Sequence, residues 1–189
     1  MLTVRHLLWA IAVSAVSAQA ADCFAENAPY IRIASEPLKA LTEALDNIQR
    51  KVSFLGTDDK TRMARLSVKL DVLSREKSEY IKKLTAFASD EMKAADLNRA
   101  TYEMMDLVQQ NIRELTSVGE RGTGLAANDA FEPLYRALAA LRDAKGNLCE
   151  VKGTGKEHRE EVNRLVDDLT REIEMLKQNR RKLSAILSK

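Results

Sequence analysis

Aromatic residues make up only 5% of this 189-residue chain, which also has just two histidines, two cysteines, three prolines and seven glycines. Scarce aromatics and missing period-two alternation exclude a core built on sheets. Tyr30-Ile31-Arg32-Ile33 does alternate, but it is too short and isolated to found one. Beyond residue 20 the only histidine is His158. No second histidine lies one helical turn away around a glutamate, and Gly155 stands three residues before it. Neither a zincin nor a Glu-x-x-His di-iron pattern is therefore present. A zinc site would depend on carboxylates alone, so no metal or cofactor is expected.

Nucleophilic and phosphate chemistry are equally short of parts. Gly119-x-x-Gly122-x-Gly124 has no strand before it and no Lys-Ser/Thr after it, so it reads as a connection rather than a phosphate loop. The pairs Asp58-Asp59, Glu160-Glu161 and Asp167-Asp168 are neighbours in sequence. On a helix they diverge by about 100° instead of converging on a substrate. The chain is expected not to be an enzyme.

A long apolar run occurs once, at the start. MLTVRHLLWAIAVSAVSAQA opens with Arg5 and His6, continues apolar from Leu7 to Val16, and ends in the small-x-small sequence Ala18-Gln19-Ala20. This is the pattern of a cleaved secretory signal. Its apolar part, about ten residues, is too short to cross a hydrocarbon core of ~30 Å. The expected organisation is a signal over 1–20, an extended N-terminal segment over 21–35, and one all-α domain over 36–189. The expected location is the periplasm or the exterior. No later segment is apolar enough to span a membrane.

Without residues 1–20 the chain carries 29 Lys+Arg against 28 Asp+Glu. That balance excludes a nucleic-acid binder held by bulk charge. An exported chain meets an oxidising compartment, and Cys23 and Cys149 are the only available pair, so a disulfide between them is expected.

Glycines at 56, at 119, 122 and 124, and at 146, 153 and 155 mark the loops, because glycine is a poor helix interior and a good stop. A first helix over 36–55 starts at Ser35 with Pro37 in its first turn, and carries Leu41, Ala44, Leu45, Ile48, Val52 and Leu55 on one face. A later helix over 130–145 carries Phe131, Leu134, Tyr135, Leu138 and Leu141. The last runs from about Lys156 to the C-terminus, with a core face of Val162, Val166, Leu169, Ile173, Leu176, Leu183 and Leu187 that Arg180 interrupts.

That last helix also carries a charge gradient. Residues 156–176 hold seven acids and four bases, whereas five bases and no acid follow from Lys177 onward. The gradient complements the helix dipole. A sharper reading makes Lys177, Arg180, Arg181, Lys182 and Lys189 a basic tip in weak contact with an anionic surface.

No glycine or proline interrupts residues 57–118. In a heptad frame from Met63 the a positions include Met63, Leu70, Lys77 and Leu84, and the d positions Leu66, Leu73, Tyr80 and Phe87. The same phase returns at Met105, Val108, Ile112 and Leu115, and only Glu91 to Thr101 breaks it. The shared phase predicts one long helix over about 58–118, in an elongated helical bundle or antiparallel coiled coil. The alternative is a compact up-down five-helix bundle with a turn at Ser89-Asp90, where Ser and Asp followed by Glu91 form a start signal. In the first topology Glu91, Ala94, Asn98 and Thr101 form a weakened patch for a partner helix or a hinge.

The expected function is a non-enzymatic binding protein of the cell envelope, a scaffold, chaperone-like or secretion-associated component acting through coiled-coil surfaces. Its partner is a protein or a second copy, and not nucleic acid. A periplasmic immunity or inhibitor protein is the alternative, and an envelope-surface binder using the basic tip is a further one.

Overall fold

The computed structural model describes residues 22–33, 35–50, 57–120 and 148–189. There the chain is an all-α helical bundle, as its periodicity predicts: α1 Cys23–Ile31, α2 Ser35–Gln49, α3 Thr57–Ala88, α4 Ala94–Glu120 and α5 Arg159–Leu187. The expected signal over 1–20, the helix over 130–145 and the end of the first helix over 51–55 lie outside the described residues.

Residues 21–35 were expected to be extended, yet 23–31 form α1. The missed signal is Asp22, whose carboxylate accepts from the Phe24 and Ala25 N–H groups at 3.2 Å each, capping the first turn. Pro29 is tolerated near the end of this short helix. Extended backbone at Arg32 then separates α1 from α2. Ile31 and Ile33 on either side are 0% and 2% exposed, so the break itself is anchored in the core.

The long helix over 58–118 is instead two helices. Glu91 N–H donates to Ala86 O at 2.8 Å and Asp90 N–H to Phe87 O at 2.9 Å. Asp90 adopts φ +59°. These bonds form a Schellman stop, with aspartate taking the left-handed position usually held by glycine. Ser89-Asp90 is thus the end signal of α3 rather than the start signal of the next helix. In α4 the frame positions Thr101, Met105 and Val108 are buried, but Leu97, Ala100, Met104 and Asn111 are buried beside them, so the face is wider than the α3 seam and turned towards these residues.

In α3 the expected seam holds from Met63 through Leu66, Leu70, Leu73, Lys77, Tyr80, Leu84 and Phe87, all buried. It packs against α4 on one side, where Tyr80 meets Thr101 in an antiparallel hairpin. On the other side it packs against α5, also antiparallel, with Asp71 opposite Arg180 and Lys77 opposite Glu172. The α5 seam steps by three and four through Val162, Leu165, Leu169, Glu172, Leu176, Asn179, Leu183 and Ile186. Helix α2 runs parallel to α5, held by Asn179 Nδ2 donating to Leu38 O at 3.1 Å and by Thr42 Oγ1 donating to Asn179 Oδ1 at 2.8 Å. Helix α1 packs on α4 and α5.

Two polar features hold the α1–α2 arm in place. Lys77 and Glu172 are 0% and 4% exposed, and Lys77 Nζ lies 2.7 Å from Glu172 Oε1. Lys77 Nζ also donates to Ile31 O, while Glu172 Oε2 accepts from Ile33 N–H at 3.1 Å. The pair therefore satisfies backbone groups that the helix break leaves without helical partners.

The second feature is a strap over residues 149–152, outside any helix. Cys23 and Cys149 are disulfide-bonded with Cα atoms 5.2 Å apart, closing a separation of 126 residues. Asn27 brackets Cys149, donating to its carbonyl at 2.8 Å and accepting its N–H at 3.0 Å. Asn98 brackets Val151 in the same way, at 2.9 Å for both bonds. The strap thus ties α1 to α4. Beyond it, Gly155 packs against the end of α3 so closely that a Cβ would sit 1.6 Å from Phe87 O, which requires glycine there.

Candidate functional site

The residues of the weakened patch do not act as one surface. Glu91 is exposed in the turn after α3, and Ala94 is the first residue of α4. Asn98 is committed to the strap through Val151. Thr101 is buried, and its oxygen lies 2.7 Å from Tyr80 Oη. Thr101 donates its own proton to Leu97 O at 2.9 Å, so Tyr80 is the donor in their contact. Burial pushes the Tyr80 hydroxyl up to about 12. Two of the four polar or small positions that looked like openings in the seam are therefore internal fasteners.

The basic C-terminal residues divide. Lys182 pairs with Asp46 of α2 and is tied to the bundle. Lys189 is exposed at the end of the chain. Lys177, Arg180 and Arg181 instead form one wall of a furrow between α5 and α3. The facing wall is Asp71, Ser74, Arg75 and Ser78, and Ser184 completes the α5 side. The furrow holds about 530 Å³. It exists because short serine side chains stand at 74, 78 and 184, leaving a channel between the two helix ridges. Arg180, the residue that seemed to interrupt the α5 core face, stands on its shoulder and reaches Asp71 at 2.7 Å. The true interruptions are Glu172 and Asn179.

The charges along the furrow are held loosely. Arg180 and Asp71 side chains are 50% and 47% exposed, and Lys177 is 45% exposed beside Glu174. The hydrogen bond from Lys177 holds the Glu174 carboxyl below its ordinary range. Arg75 pairs with its neighbour Glu76, at 3.1 Å. Among the described residues no ion pair engages Arg181. Ser74 Oγ donates to Leu70 O and Ser78 Oγ to Ser74 O, so these hydroxyls lie back against their own helix.

Other candidate groups are structural. His158 is half-buried, with its ring 5.6 Å from Phe24 and 6.3 Å from Phe87, and its Nε2 lies 2.7 Å from Lys152 O. Met104 and Met105 are core residues at 6% and 9% exposure. Asp168 is engaged by Arg32 and Arg171, while Asp167 faces outward. No group of three or more His, Cys, Asp or Glu able to hold a metal occurs among the described residues. No described helix is long and apolar enough to cross a membrane.

Sequence reasoning missed Asn27 and Arg75 and gave Lys77 no partner. Asparagine near a half-cystine has no pattern that announces a bracket on the backbone. Arg75 lies off the α3 seam, and only the antiparallel docking of α5 brings it opposite Lys177. Neither a family model, nor a curated protein, nor a solved structure matches this chain.

Proposed function

We propose that this chain is an exported, non-enzymatic binding protein of the cell envelope that works through the outer faces of its bundle. The observation that carries this reading is where its polar groups are spent. Lys77, Glu172, Asn27, Asn98, Asn179 and His158 all hold backbone or neighbouring side chains. The apolar seams of α3 and α5 face one another, so a partner meets charged outer helix surfaces rather than a free seam. The paired cysteines are compatible with an oxidising compartment. The stop at Asp90 shortens the expected rod, which favours a compact inhibitor or immunity protein that blocks its target sterically over an elongated scaffold.

The test is fractionation and crosslinking in the native host. Photo-reactive residues replace Val68, Tyr102 and Arg181, all on the outside of the bundle. The expected result is a chain processed after Ala20, recovered from the envelope, with an adduct to one protein from at least one position. An unprocessed cytoplasmic chain, or no adduct from any position, overturns the reading.

A further inference from the structure

We infer that the furrow between α3 and α5 is a docking site for an acidic helical segment of a partner protein. This rests on the binding function proposed above and names the surface and the chemistry of its partner. The furrow lining contains four cations, Arg75, Lys177, Arg180 and Arg181, and one carboxylate, Asp71. With Glu76 and Glu174 on its rim, cations still outnumber carboxylates four to three, and this surplus favours an anionic partner.

The existing ion pairs do not close the site. Arg180–Asp71, Lys177–Glu174 and Arg75–Glu76 are all substantially exposed. Such surface pairs contribute little, so an incoming carboxylate can replace or share them at small cost. Arg181 is exposed and in no ion pair among the described residues, with its charge acting also on the nearby Glu174 carboxyl. Arginine, with its planar fork of donors, suits carboxylates in two-point contacts.

Shape decides between a small anion and a polymer. A small-molecule site encloses most of its ligand. Here Arg75 is 65% and Arg180 50% exposed along an open channel, so the cations line a track and surround nothing. The channel follows the axes of two antiparallel helices, and from residue 71 to 78 it covers about 10 Å at 1.5 Å per residue. An incoming helix presents side chains at i, i+4 and i+7 over the same ~10 Å and can lie in the channel as a further helix of the bundle. Carboxylates at those three positions face cations on both walls. The aliphatic stems of Arg and Lys supply the apolar part of the contact.

The probe is a synthetic alanine-rich helical peptide with Glu at i, i+4 and i+7, compared with its Gln counterpart. Vesicles containing anionic phospholipid and a sulfated polysaccharide form separate arms. Titration of the disulfide-intact protein should move the backbone amide resonances of residues 71–78 and 177–184 with the Glu peptide, and much less with the Gln peptide. Affinity should fall at least tenfold in R75S/K177S/R181S, whose side chains all lie outside the core, and should weaken as salt rises. Circular dichroism and the thermal midpoint establish that the variant remains folded. Equal binding of both peptides, unchanged affinity in the variant, or shifts confined to other faces overturn the proposal. Binding of vesicles or polysaccharide without the Glu peptide also overturns it, in favour of a surface-binding tip. None of these results touches the crosslinking test, so a failed furrow leaves a binding protein that uses another face. Absence of any crosslinked adduct removes the function itself.

Discussion

Lys77 of α3 and Glu172 of α5 meet at 2.7 Å in the interior, and each also holds one backbone group of the α1–α2 break. A simple buried ion pair can often be replaced by apolar residues without loss. This one cannot, because Ile31 O and Ile33 N–H would then be left unsatisfied in the core. Lys77→Met is expected to destabilise by about 3–5 kcal/mol, since it strands a buried carboxylate. The double variant K77M/E172L should remain destabilised by on the order of 2 kcal/mol or more, from two orphaned backbone groups. Urea unfolding of both variants checks this; a double variant as stable as the parent would show that the pair does not fasten the break.

The same pair was only half legible in the sequence. The α3 seam was legible because Met63, Leu66, Leu70, Leu73, Tyr80, Leu84 and Phe87 recur at three and four, and Lys77 was visible as its one defect. The compensating Glu172 lies on another helix, and nothing local to either residue links them. In α5 the polar residues misdirected the frame. Following apolar residues finds Ile173, which is buried, but blames Arg180 and passes over Glu172 and Asn179, which complete the buried seam. Hydrophobic periodicity finds a face only while that face is apolar. The furrow was half legible: Lys177, Arg180 and Arg181 stood out as a basic run, but its other wall required the docking of α3 on α5.

Ala94 distinguishes the two topologies directly. It is the first residue of α4, where proline costs little because an N–H at that position has no helical partner. Ala94→Pro is expected to change stability by less than about 1 kcal/mol, against ~3 kcal/mol or more for proline inside a continuous helix. Urea denaturation with an unchanged helical signal is the expected outcome. A large loss would place residue 94 within a helix that passes through the Asp90 turn.

The strap makes a local prediction. Asn98→Ala removes both bonds to Val151, whose side chain is 3% exposed. The cost should be about 1–3 kcal/mol for the groups left unpaired. Amide hydrogen exchange should accelerate sharply at Val151, while the Cys149 amide, held by Asn27 and beside the disulfide, stays protected. Equal acceleration at both amides would mean that the strap opens as a unit and that the two brackets are not independent.

Tyr80 sets an alkaline limit on the fold. Its hydroxyl is pushed up to about 12 from an ordinary 10.0 by burial. Between those values the folded state holds a proton that the unfolded state has released, so stability is fully present below pH 10 and falls as pH rises towards 12. The difference is worth on the order of 1 kcal/mol by pH 11 and about 2–3 kcal/mol in all. Tyr80→Phe should be less stable near pH 8, by about 1 kcal/mol for the lost bond to Thr101. Thr101 keeps its bond to Leu97 O, so no further penalty is expected. The variant should lose less stability than the parent between pH 9 and pH 11, because lysines titrate in both proteins while the buried phenol titrates only in the parent. Urea unfolding at the two pH values measures this; parallel losses would mean that Tyr80 ionises in the folded state as freely as in the unfolded chain.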